Sequence, residues 1–103
     1  MAIGIYTTVA SDEDARALAR AALDRRLCAC VHLEPIESLY RWKGELCEDR
    51  EVRILFKTIE SRRAALEALI AGSHGYETPA IWTVRFDGVD PAYAAWIESE
   101  AGG

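Results

Sequence analysis

Asparagine and glutamine are missing from the 103-residue chain altogether, and Lys43 and Lys57 are the only lysines beside ten arginines. Selection against heat-labile amides and a bias of the coding genome account for this equally well, so neither scarcity points to a function. Positive charge is also short overall: 12 Lys and Arg against 17 Asp and Glu leave a net charge of −5 and a pI near 5.0. That balance argues against a nucleic-acid partner, because phosphate backbones are bound by releasing counterions to clustered basic side chains. The first ten residues hold no Lys or Arg, and no apolar run approaches the ~18 residues of a membrane span. A soluble protein with no membrane partner is expected. Cysteine is limited to Cys28, Cys30 and Cys47, an odd set in a chain long enough to fold without staples. A disulfide framework is therefore not expected, and a reducing cytoplasm fits better. A Gly-x-Gly phosphate loop, a nucleophile elbow and a His-Glu-x-x-His pair are absent as well, so no catalytic residue is assigned, and neither an enzyme nor an organic cofactor is expected.

What is present reads as one α+β domain spanning residues 1–103. Ile3, Ile5, Thr7 and Val9 alternate with Gly4, Tyr6 and Thr8, a period-2 pattern that predicts a strand over Ala2–Val9. Ser11 with Asp14 has the form of a capping box, and Ala15, Leu18, Ala19, Ala22 and Leu23 make one apolar helical stripe that should end near Arg26. Cys28–Trp42 and Glu45–Thr58 are rich in β-branched and aromatic residues and are separated by Lys43-Gly44, which predicts a hairpin. Ser61 is placed to cap a second helix carrying Leu66, Leu69 and Ile70, with Gly72 as a left-handed terminator and His74 in the exit loop. Ile81–Phe86 reads as a fourth strand. Asp90-Pro91 opens a last helix with Tyr93, Trp96 and Ile97 on one face and a frayed Ala101-Gly102-Gly103 end. The order strand, helix, strand, strand, helix, strand is that of a ferredoxin-like split β-α-β fold, here with a long β2-β3 hairpin and an extra C-terminal helix.

The hairpin predicts more than topology. At ~3.3 Å per residue a strand of about fifteen residues spans roughly 50 Å, whereas a compact chain of this length is about 33 Å across. The hairpin must overhang its own domain, and an overhang bearing Leu39, Tyr40 and Trp42 needs a cover. A second copy of the chain is the simplest one, unless Pro35 bends the strand.

Several segments resemble the CutA family of divalent-cation tolerance proteins: Leu27-Cys28-Ala29-Cys30-Val31, Pro35 through Gly44, Glu51, Lys57-Thr58, His74-Gly75-Tyr76-Glu77-Thr78-Pro79, and Tyr93 with Trp96. Departures are few: Gly75 stands where the family usually has Pro, Ala80 where it has Glu, His32 where Asn is common, Cys28 where Ala is common, and Thr7 where some members have Cys. The resemblance implies a PII-like trimer that binds copper or another divalent cation, or a small ligand, at clefts between subunits. A PII-like scaffold that docks an unidentified protein without metal is the alternative.

His74 in its loop is the leading metal-ligand candidate, with Cys30 and Glu77 as weaker members of a site shared between subunits or completed by water. Lys57, Tyr76 and Arg41 are the candidates for a ligand cleft, although His74 and Glu77 serve equally as hydrogen-bonding locks of a trimer. Cys28, Cys30 and His32, at alternate positions of a strand, read either as a thiolate and imidazole face for Cu(I) or Zn or as small residues packed under a helix. Tyr40 and Trp42 are expected to anchor the trimer interface, and Tyr93 and Trp96 to be core.

Overall fold

The structure, a computed structural model, describes residues 1–102. Strand β1 (Ala2–Val9) leads through Ser11 into helix α1 (Asp12–Asp24), and the Ser11 hydroxyl accepts the Asp14 N–H at 3.1 Å, as the capping pattern predicts. Strands β2 (Cys30–Trp42) and β3 (Glu45–Ile59) form the hairpin. Its turn is Lys43-Gly44, with φ of 50° and 82°; two left-handed residues in succession match the twist of the paired strands. A 3₁₀ turn (Glu60–Arg62), helix α2 (Arg63–Ser73), strand β4 (Ile81–Arg85) and helix α3 (Pro91–Ala101) complete the described residues.

The sheet has the order β2-β3-β1-β4 with every neighbouring pair antiparallel. Alternation divides its faces. Ile3, Ile5, Thr7 and Val9 of β1 lie opposite Thr58, Phe56, Ile54 and Val52 of β3, and all eight are buried. They form the main core with Ala15, Leu18 and Ala22 of α1 and Leu66 and Ile70 of α2, so both helices cover this one face. On the opposite face α3 covers one end: Ile97 and Ala101 pack on Ile59, Ala2 and Ala29. The rest of that face is open, and there the Tyr6 and Trp82 rings stack at 5.1 Å. Thr58 is polar and fully buried, and its hydroxyl donates to the Leu27 carbonyl at 2.7 Å, which satisfies both groups.

β1 pairs with β3 only from Val52 to Ile59, while β2 stays paired with β3 out to Trp42 and Glu45. Residues 36–42 and 45–51 therefore project past the domain as a two-stranded ribbon, and the molecule measures 45 × 26 × 21 Å. Pro35 sits opposite Val52 without ending the strand; β2 is an edge strand, where a missing N–H is tolerated.

Several element ends differ from the sequence reading. Helix α1 stops at Asp24, two residues before the expected end, and Leu23 of the expected apolar stripe is 41% exposed; Arg26 is left-handed at φ 54° and reaches Glu100 of α3 at 3.6 Å. Ser61 lies within the 3₁₀ turn, and α2 starts without a side-chain cap. Gly72 is an ordinary helical residue, the helix running on until His74 takes an extended conformation. Strand β2 begins at Cys30, two residues later than expected, which leaves Cys28 in the helix-side core. Tyr93 and Trp96 are not core residues. They stack on each other at 5.6 Å and stay 37% and 43% exposed, because the face that α3 buries is that of Ile97 and Ala101. Ala101, expected to fray, is helical and fully buried, and Gly103 lies outside the described residues.

Candidate functional site

The ribbon and the loop that leaves α2 enclose a cleft of about 750 Å³. One wall carries Glu37, Tyr40 and Trp42 from β2 and Glu51 from β3; the other carries Tyr76 and Glu77. Tyr40 donates its phenolic hydrogen to Asp49 across the ribbon, and Tyr76 donates to Glu51 at 2.8 Å, tying the loop to β3. The bond to Asp49 is the main cause that pushes the Tyr40 phenol up to about 12. For Tyr76 burial acts first and the Glu51 bond second, again upward. Lys43 leans back from the turn, its Nζ 3.4 Å from Glu77 and 5.6 Å from the centre of the Trp42 ring.

His74 fixes the base of the loop. Its Nε2 lies 2.7 Å from the Thr8 carbonyl oxygen and 3.2 Å from Thr7 Oγ1, and its Nδ1 accepts the Tyr76 N–H at 3.2 Å. A carbonyl only accepts and an amide N–H only donates, so these contacts select a neutral ring protonated at Nε2. Both nitrogens are thus engaged within the chain.

The other sequence candidates are dispersed. Cys30 pairs with Lys57, which in turn pairs with Gly4, so it lies two strands over from Thr8 and four residues along, roughly 13 Å in strand length alone. Glu77 is turned toward Lys43. Among the described residues no three of His, Cys, Asp and Glu gather where they could hold a metal ion, so one protomer does not bring His74, Cys30 and Glu77 together. Lys57 donates to the Tyr93 hydroxyl at 3.2 Å, six residues along β3 from Glu51, or about 20 Å. Arg41 is exposed beside the hairpin turn, leaving Tyr76 as the one member of the proposed cleft set that lines this cleft. Cys28 does not share the strand face of Cys30 and His32. It is buried, and desolvation, followed by the neighbouring Cys30, raises its thiol to about 12, which suits packing and not ligation. Sequence reasoning missed Lys43, Asp49 and Thr8 at this site; each acts through a partner whose proximity depends on register or on the loop path.

The model of the CutA1 divalent ion tolerance protein family matches residues 3–100. The chain belongs to the CutA family. The divalent-cation tolerance protein CutA of Thermotoga maritima is 38% identical over 93 residues, which cover 90% of this chain and 92% of that one. CutA of Thermus thermophilus is 34% identical over 99 residues, covering 95% and 96% of the two chains. Among solved structures, a protein described as the periplasmic divalent cation tolerance protein CutA from Archaeoglobus fulgidus superposes with a TM-score of 0.95 at 29% identity, over 98% of this chain and 99% of its own. The ferredoxin-like α+β architecture is thus that of solved CutA proteins, and these relatives are named for cation tolerance, not for an enzymatic reaction.

Proposed function

We propose that the chain is the protomer of a cytoplasmic, non-enzymatic homotrimer of the CutA type, which takes up copper or another divalent cation, or a small ligand, at clefts between subunits. The overhanging ribbon carries this reading. Leu39, Tyr40, Trp42 and Leu46 are between 40% and 67% exposed on it, and a two-stranded ribbon with no core beneath it is marginal in water unless another surface covers it. The open sheet face, with Trp82 41% exposed over Tyr6, supplies a second surface suited to another copy. Mass measurement in solution tests the assembly: a trimer is expected, and a species of 11.4 kDa at micromolar concentration removes the proposal.

His74, whose Nδ1 accepts the Tyr76 N–H in the metal-free chain, would hold the cation, with Cys30 or Glu77 of a neighbouring copy, or water, completing the set. Calorimetric titration with Cu(II) of the parent and His74→Ala tests this; equal affinities retire His74. Three free cysteines support the cytoplasmic assignment, with fractionation of the producing cell as its check. The dispersal of His74, Cys30 and Glu77 within one protomer favours the second reading, a PII-like scaffold that docks another protein. Partner capture that is indifferent to a chelator selects the scaffold.

A further inference from the structure

We infer that the cleft between the ribbon and the 74–80 loop is a receptor for an alkylammonium group, a ligand class distinct from the divalent cation. The inference shares with the proposed function only the placing of this cleft at a subunit boundary. Asp49, Glu51 and Glu77 lie on the side of the ribbon that Tyr40 and Trp42 present, against Lys43 as the one cation paired there among the described residues, so the field of the cleft is negative. Glu37, at an alternate strand position, pairs with Arg50 at 3.9 Å instead. Glu51 and the adjacent Asp49 already receive a phenolic hydrogen each, which holds them in place without neutralising them. The carboxylates do not converge on a point as a small divalent ion requires. They are spread along a wall faced with Tyr40, Trp42 and Tyr76, and an extended organic cation matches such a wall, its ammonium on a carboxylate and its alkyl chain against the rings.

The chain itself supplies a rehearsal of that contact. Lys43, an alkylammonium on a four-carbon stem, places Nζ over the Trp42 ring and within 3.4 Å of Glu77. Its side chain is 68% exposed and tethered only at the turn, so an incoming amine can displace it into water. Lys43 is thus an internal competitor for the site, and its removal should strengthen binding where removal of Trp42 or Glu77 weakens it.

The test is titration of the full chain with n-butylammonium, followed by ring and amide NMR shifts of Trp42, Tyr76 and Glu77, with 1-butanol as the uncharged control. Lys43→Asn keeps a residue tolerant of the left-handed turn and should raise butylammonium affinity about threefold. Glu77→Gln and Trp42→Leu should each lower it about threefold or more, and added salt should lower it further. Equal or weaker binding by Lys43→Asn, equal shifts from 1-butanol, or no saturating shift up to about 100 mM amine overturns the inference. The peptide acetyl-Gly-Lys-Gly-amide is titrated in parallel. Binding tighter than butylammonium assigns the ligand to a protein lysine, and weaker or equal binding assigns it to a free amine; both outcomes support the ammonium site. Solution mass is recorded for every variant, so a monomer that still binds the amine sinks only the trimer, and a trimer that ignores it sinks only this inference.

Discussion

Tyrosine ionisation offers the most direct reading of the site at the scale of single residues. Of the four phenols, Tyr40 and Tyr76 donate to carboxylates, and both are held protonated past the ordinary value of 10. An ultraviolet titration should therefore show these two ionising late, and Tyr40→Phe should remove absorbance amplitude near 12. The unfolded chain releases the Tyr40 proton near 10 and the folded one near 12, so the contribution of this bond is whole below 10 and is lost as pH rises to about 12. The raised thiol of Cys28 makes a parallel expectation: in the native protein at pH 8 iodoacetamide should label Cys30 and Cys47 and spare Cys28, and prompt labelling of Cys28 contradicts its burial. His74 was legible as a loop residue because a helix end is a local signal, but its grip on Thr8 was not, since the two are 66 positions apart and meet only through the fold.

Among the elements, β1 and the hairpin were readable almost to the residue, because alternation and a Lys43-Gly44 turn are local and the register follows from the turn. The helix ends were not. Ser61 and Gly72 are both able to end a helix, but the chain between β3 and the 74–80 loop is set by the need to seat Leu66 and Ile70 on the sheet, which overrides the cap preference. Tyr93 and Trp96 were misread for a similar reason: size suggested core, whereas the face that α3 presents to the sheet is decided by Ile97 and Ala101. Gly4 belongs to this scale as well. A Cβ there would stand 2.9 Å from Leu55 Cδ1, 3.0 Å from Phe86 Cζ and 3.1 Å from Val84 Cγ2, so three side chains close over a bare backbone in the central strand. Gly4→Ala should cost about 1–3 kcal/mol as those groups are pushed aside, measured as a lower denaturant midpoint with unchanged slope. An unchanged midpoint means that the open face yields more easily than its packing suggests.

For the whole molecule, the ribbon sets the terms. If Trp42 is an anchor between copies, Trp42→Ala should weaken association by ~2 kcal/mol or more, visible as dissociation on dilution and a lower melting temperature. A variant with parental mass and melting temperature places the contact elsewhere. The ribbon also governs the order in which the molecule comes apart. Seven residue pairs, from Ile36–Glu51 outward to Trp42–Glu45, have no third strand beside them and no helix beneath, so in a lone chain they unzip from the turn toward Val52 without disturbing the core. Amide exchange along these pairs should then be fast in dilute protein and slow in concentrated protein, while Ile5 and Phe56 exchange at one rate throughout. The outer ribbon is in this sense a built-in gauge of subunit occupancy, readable one amide at a time.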